Sequence, residues 1–150
     1  MNDTSKARVI LMADDDSDDR LLAKDAMTES HWEGDLLFVE NGEELLDFLL
    51  RRGKYSQMPN APRPGLILLD LNMPRKDGRQ ALREIRAEPG LRRLPVVIFT
   101  TSKADTDVGG MYELGANSFI SKPTKFDELV HVMRVLGQYW FATVELPNPK

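Results

Sequence analysis

Leu66-Ile67-Leu68-Leu69-Asp70-Leu71-Asn72-Met73-Pro74 runs from an unbroken apolar stretch into a carboxylate and then a turn. Three other stretches repeat the design. Val9-Ile10-Leu11-Met12-Ala13 leads into Asp14-Asp15, Val96-Val97-Ile98-Phe99 into Thr100, and Phe119-Ile120-Ser121 into Lys122. Short apolar runs of this kind read as strands of a parallel sheet buried on both faces. Ligands of such sheets bind at the carboxyl ends of the strands. The pattern therefore predicts three carboxylates, a hydroxyl and an ammonium at one sheet edge.

Outward from these runs, strand and helix alternate five times. Leu22, Ala23, Ala26 and Met27 share one helical face, and Leu36-Leu37-Phe38-Val39 is the second strand. Asn41-Gly42 precedes a helix built on Leu45, Leu46 and Leu49, and residues 52–64, rich in Pro and Gly, read as a loop. Ala81, Leu82 and Ile85 form the inward face of the third helix, and Val108, Met111 and Tyr112 that of the fourth, which stops near Gly115. Gly109-Gly110 costs that fourth helix about 1 kcal/mol per residue relative to Ala, so it is predicted to be easily displaced. The fifth helix is predicted over residues 125–140, with Phe126, Leu129, Val130, Met133, Leu136 and Trp140 facing inward. Such alternation implies right-handed βαβ crossovers and an α/β three-layer sandwich. Residues 1–7 read as a lead, 8–141 as the domain and 142–150 as a tail.

Bulk properties exclude several classes. The 150 residues suit one domain with a real core, and 41% hydrophobic with 29% charged residues is a globular composition. A formal charge of -4 argues against a generic nucleic-acid or anionic-membrane surface. The absence of Cys excludes disulfides and thiolate chemistry, and fits a cytoplasmic setting. No run is long enough to span a bilayer, and the first residues lack the apolar stretch of a signal peptide.

Asp14, Asp15 and Asp70 gathered together demand a cation among them. Mg²⁺ takes one or two carboxylates plus waters and phosphate oxygens, which suits an open site. A carboxylate can also accept a phosphoryl group, and Asp70, at the tip of a central strand, is the expected acceptor. Lys122 then meets a phosphoryl oxygen as a point charge and Thr100 donates to another. Asp16, Asp18 and Asp19 read as helix-cap or turn residues. An EF-hand beginning at Asp14 is rejected, because its sixth and twelfth positions are Asp19 and Asp25 where Gly and Glu are required.

With these residues the chain resembles a receiver domain of two-component response regulators over nearly its whole length. Asp14-Asp15 is similar to the family's acidic pair, Asp70-Leu71-Asn72-Met73-Pro74 with Gly78 to its phosphoacceptor segment, Thr100 to its switch residue and Lys122-Pro123 to its lysine and cis-proline. The resemblance implies a flavodoxin-like (βα)5 fold with a parallel five-stranded sheet in the order 2-1-3-4-5. It implies Mg²⁺ held by Asp15, Asp70 and the backbone carbonyl of Asn72, with Asp14 acting through water. It implies a phosphoryl group received from a sensor histidine kinase, and a switch through Thr100 and Phe119, where the family often has Tyr. No separate substrate is expected, so the chain is not read as an enzyme. The long 52–64 loop and the ending Gln138-Tyr139-Trp140-Phe141 further resemble stand-alone regulators paired with bacterial phytochrome kinases.

A second apolar stripe on the fifth helix, Val132, Val135 and Tyr139, points to a homodimer unless residues 141–146 fold back over it. Rival functions fare worse. Aspartyl-phosphate phosphatases carry a second Asp where this chain has Asn72, and Asp14 to Asp19 would repel the phosphate of a flavin cofactor. A phosphate sink or an intermediate shuttle in a phosphorelay stays open beside a signalling role.

Overall fold

The computed structural model of the chain describes residues 8–58 and 60–147. Strands and helices alternate as β1 (Val9–Ala13), α1 (Ser17–Glu29), β2 (Asp35–Val39), α2 (Gly42–Leu50), β3 (Leu66–Leu69), α3 (Gly78–Ala87), β4 (Val96–Thr100), α4 (Asp105–Leu114), β5 (Ser118–Ser121) and α5 (Phe126–Gln138). All pairings are parallel and the order is β2-β1-β3-β4-β5. The chain therefore reverses its direction of winding between β1 and β3, as the flavodoxin-like layout requires. The predicted lead at 1–7 and the last three residues of the predicted tail lie outside the described residues.

Side chains alternate faces along each strand. Leu11, Ala13, Ile67, Leu69 and Ile98 meet Leu45 and Leu46 of α2, Leu82 and Ile85 of α3, and Met111 of α4. Ile10, Met12, Leu66, Leu68 and Val97 meet Ala23, Ala26 and Met27 of α1, and Leu129, Val130 and Met133 of α5. Three layers result. The central strands β1, β3 and β4 are buried throughout, whereas most of β2 and all of β5 are half-buried or more exposed, as edge strands are.

Caps divide the helices. Asp16, Asn41 and Asp77 accept backbone N–H bonds at the starts of α1, α2 and α3. Ala104 gives α4 no such bond, and Met111 is its only buried residue. That helix ends on Gly115 at φ 106°, a left-handed conformation that an L side chain rarely adopts. The prediction that α4 is weakly held therefore gains two further reasons.

Several expected core residues face out. Leu22 is 46% exposed and Tyr112 49%, and Val108 is half-buried. Leu22 and Tyr112 each sit one residue, about 100° of helical rotation, from a buried neighbour, so each falls on the flank of a narrow buried face. Phe126 is 43% exposed because it opens α5 at the carboxyl edge of the sheet, where the core ends. The 52–64 loop is more structured than its composition predicts. A 3₁₀ turn at Gly53–Gln57 buries Tyr55 against Phe48, ring centroids 4.9 Å apart, and its hydroxyl donates to Glu44 Oε2 at 2.6 Å. A buried Tyr needs such a partner, and α2 supplies it.

At the far end, a π turn at Tyr139–Thr143 continues α5. The side chains of Phe141 and Leu146 pack on Gly65 at the start of β3, and Trp32 lies on Gly137 of α5. The tail thus covers the bottom of the sheet and not the Val135 stripe. Val135 and Tyr139 are 45% and 49% exposed, while Val132 is half-buried against the core and so leaves the predicted free stripe.

Candidate functional site

Parallel strands in register bring their carboxyl ends together: Ala13 is level with Leu69, and Leu69 with Ile98. The next residues along β1 and β3 are Asp14 and Asp70, both buried. Asp14 is fixed from both sides. Its backbone N–H donates to Val39 O at 3.1 Å, and its carbonyl accepts from Arg20 Nη1 at 2.8 Å. Asp70 donates its backbone N–H to Ala13 O at 3.1 Å, which ties the two acidic strand ends to each other.

Around the Asp70 carboxylate the predicted donors arrive. Thr100, fully buried, donates from Oγ1 to Asp70 Oδ1 at 2.8 Å, and the Asn72 backbone N–H reaches the same oxygen at 3.3 Å. Lys122 Nζ donates to Asp70 Oδ2 at 3.1 Å and to Asp14 Oδ2 at 2.5 Å. Lys122 is held in turn by its own N–H, which donates to Thr100 O at 2.7 Å. Its bond to Pro123 is trans, since no cis peptide bond occurs among the described residues; the resemblance implied cis. The two isomers of an X–Pro bond differ by only about 0.5–1 kcal/mol, so Pro123 in the sequence does not by itself select one.

Two groups were not expected at the site from the sequence. Asp19, expected only to cap or turn, accepts no backbone N–H at the helix start through its side chain; Asp16 does that work for α1. Its Oδ2 instead accepts from Lys122 Nζ at 2.8 Å. Arg20, the next residue, braces Asp14. The available signal was position: an acidic and a basic residue in the first turn of the helix that follows the acidic pair.

Electrostatics follow from this crowding. Burial pushes the Asp14 carboxyl above its ordinary value, against the downward pull of Lys122 and the Asp16 N–H. Burial works to lower the Lys122 ammonium, but hydrogen bonds to Asp14 and Asp19 outweigh it and hold Lys122 above its usual range. One ammonium thus stands among Asp14, Asp19 and Asp70, with Asp15 alongside, and negative charge is in excess.

Asp14, Asp15 and Asp70 each offer an oxygen, and these oxygens lie within 4.8 Å of one another. Opposed ligands of an octahedral Mg²⁺-sized ion stand about 4.2 Å apart, so the three oxygens need close in by no more than about 0.6 Å to share one. Asp15 is exposed, leaving one side open to water and to phosphate oxygens. The donor set is all hard oxygen, as a small divalent cation requires. The remaining predicted positions are more distant in role: Phe119 is half-buried against the core that includes Ile98. His31 and His131 are both exposed.

The family model described as the response regulator receiver domain matches residues 10–134. Response regulator Rcp1 of Synechocystis sp. is 37% identical over 146 residues, which is 97% of each chain. The Mn(2+)-bound form of Rcp1 superposes with a TM-score of 0.83 at 38% identity, over 94% of this chain and 99% of that one. The phosphorylated cyanobacterial phytochrome response regulator RcpA gives 0.86 at 35% identity, over 95% and 99%. RPA3017 of R. palustris, a response regulator in red light signaling, gives 0.88 at 33% identity, over 94% and 99%.

Proposed function

The chain belongs to the response regulator receiver domain family, and from that premise we propose that Asp70 accepts a phosphoryl group from the phosphohistidine of a sensor histidine kinase. The observation that carries this reading is the Asp70 carboxylate itself, with Thr100 Oγ1 at 2.8 Å from one oxygen and Lys122 Nζ at 3.1 Å from the other. An Asp70 oxygen forms the new O–P bond as the N–P bond of the donor breaks, and the imidazole nitrogen leaves with that electron pair. Thr100 and Lys122 already aim their protons at the acceptor, so they are positioned to meet the incoming phosphoryl oxygens. Asp15, Asp70 and the Asn72 carbonyl would hold Mg²⁺, with Asp14 acting through water; the bound cation offsets the charge between carboxylate and phosphoryl oxygens. Hydrolysis of the acyl phosphate resets Asp70, and no outside substrate is turned over.

The signal leaves through packing. A phosphoryl group on Asp70 adds charge and acceptor oxygens. Thr100 follows it, Phe119 moves into the space beside β4, and α4 yields because it is the least secured helix. An ion pair from Arg79 Nη2 to Asp107 Oδ1, at 2.8 Å, and a bond from Ser102 Oγ to Asp107 Oδ2 are what hold its first turn.

The partner is a histidine kinase of the phytochrome type. Support comes from the relatives named above, which this chain matches over nearly their whole length, rather than from any contact. A second copy of the chain is the proposed partner for Val135 and Tyr139, which the tail leaves uncovered.

Incubation with acetyl phosphate and Mg²⁺, followed by intact-mass measurement, tests the chemistry. The parent gains one phosphoryl group, and Asp70→Asn, or the parent with a chelator, gains none. Labelling of Asp70→Asn at the parental rate would falsify the assignment. Light scattering tests the dimer: Val135→Glu is expected to be monomeric, and a variant as dimeric as the parent excludes that face.

A further inference from the structure

Lys122 has one more anionic partner than phosphoryl transfer requires. Its ammonium carries three protons, and three carboxylates take them: Asp14 Oδ2 at 2.5 Å, Asp19 Oδ2 at 2.8 Å and Asp70 Oδ2 at 3.1 Å. A phosphoryl oxygen arriving at Asp70 can reach Lys122 only if one of these bonds is given up. Asp14 is a poor candidate, because its side chain is 1% exposed and a buried carboxylate without its cation is strongly disfavoured. Giving up the Asp70 bond is not enough by itself, since the phosphoryl oxygens stand beyond that carboxylate by the length of the new O–P linkage and the ammonium must move outward to meet them. Asp19 remains. Its side chain is 34% exposed, so water replaces the ammonium there at little cost. Its backbone N–H is already satisfied by Asp16 Oδ1 at 3.3 Å, so the α1 start does not depend on its carboxylate.

We infer that Asp19 is a positioning residue that parks the Lys122 ammonium in the unphosphorylated protein and releases it to the phosphoryl group. The inference rests on Asp70 being the acceptor. Two consequences of opposite sign follow. With Asp19 neutral, Lys122 loses a competitor and binds a phosphoryl group more tightly. The acidic cluster also loses one negative charge, so a divalent cation binds it less tightly. General damage to the site would weaken both, and a charge serving only the helix dipole would change neither.

The experiment compares the parent, Asp19→Asn and Asp19→Glu in two titrations. The first measures the Kd of Mg²⁺ alone by calorimetry. The second measures, at saturating Mg²⁺, the Kd of beryllofluoride, a tetrahedral mimic of the phosphoryl group. For Asp19→Asn the expected result is Mg²⁺ binding weakened about threefold and beryllofluoride binding tightened about three- to tenfold, a range that corresponds to one partly buried charge pair. Asp19→Glu is expected to return both toward the parent. Shifts in the same direction, or an unchanged value in either titration, overturn the inference. A parent that binds no beryllofluoride overturns the acceptor reading itself and the role of Asp19 with it, a failure visible before any variant is compared.

Discussion

Gly78→Ala sets two effects of known sign against each other at the point where α3 leaves the site. Ala is favoured over Gly in a helix by up to about 1 kcal/mol, and Gly78 is the first residue of α3. An added Cβ, however, would stand 2.2 Å from Asp70 O and 2.9 Å from Leu71 Cα, closer than ordinary contact by about 1 Å in the first case. Both obstacles are backbone and belong to the acceptor itself and its neighbour, so no flexible side chain can give way. The Gly78 N–H also donates to Leu71 O at 3.0 Å, which ties the start of α3 to the same segment. Overpacking of this kind costs about 1–3 kcal/mol, so the clash exceeds the propensity gain and the variant is destabilised. Relief by moving Asp70 about 1 Å would slow phosphoryl transfer on the order of 10²-fold. Gly109→Ala is the matched control, because nothing lies within 4 Å of its added Cβ. It is expected to stabilise by about 0.5–1 kcal/mol and leave the acceptor chemistry unchanged. Urea denaturation and the rate of labelling by acetyl phosphate read both quantities. A Gly78→Ala protein as stable and as fast as the parent would refute the reasoning.

Two further outcomes follow from contacts away from the acceptor. Burial works to raise the Glu44 carboxyl, but hydrogen bonds from the Tyr55 hydroxyl, the Glu40 N–H and Lys54 outweigh it and hold Glu44 below its ordinary 4.5. A carboxyl depressed in the folded state contributes stability above its unfolded value and loses that contribution as pH falls through the folded one. The difference in urea midpoint between the parent and Glu44→Gln is therefore largest near neutral pH and closes below about pH 4.5; a gap that widens on acidification contradicts the network. Gly137→Ala would place a Cβ 2.3 Å from Trp32 Cδ1 and drive the indole from its seat beside Phe141, whose ring centroid is 5.4 Å away. In a Trp140→Phe background the emission of Trp32 should shift to the red, with a loss of about 1–3 kcal/mol; unchanged emission would show that Trp32 does not depend on that glycine.

What the amino-acid sequence determined by itself was everything local repetition can encode. Four apolar runs, each ending on a polar group, specified parallel strands and the edge where Asp14, Asp70, Thr100 and Lys122 meet, because strand polarity and register leave those side chains nowhere else to go; three of the runs are buried as expected, and β5, an edge strand, is only half-buried. Gly109-Gly110 gave the expectation of low helix propensity in α4 for the same reason: propensity is a property of the residue. Only the tertiary structure decided which flanks stay wet, as Leu22, Tyr112 and Phe126 do, since a helical face reports its direction but not how far the sheet beneath it extends. It also decided that Tyr55 anchors a loop whose composition reads as irregular, and that the tail packs on Gly65 and not on Val135. The pairing of Asp19 with Lys122 spans 103 positions of chain. No period in the sequence relates two such residues; packing α1 and the end of β5 around one edge brings them within a hydrogen bond.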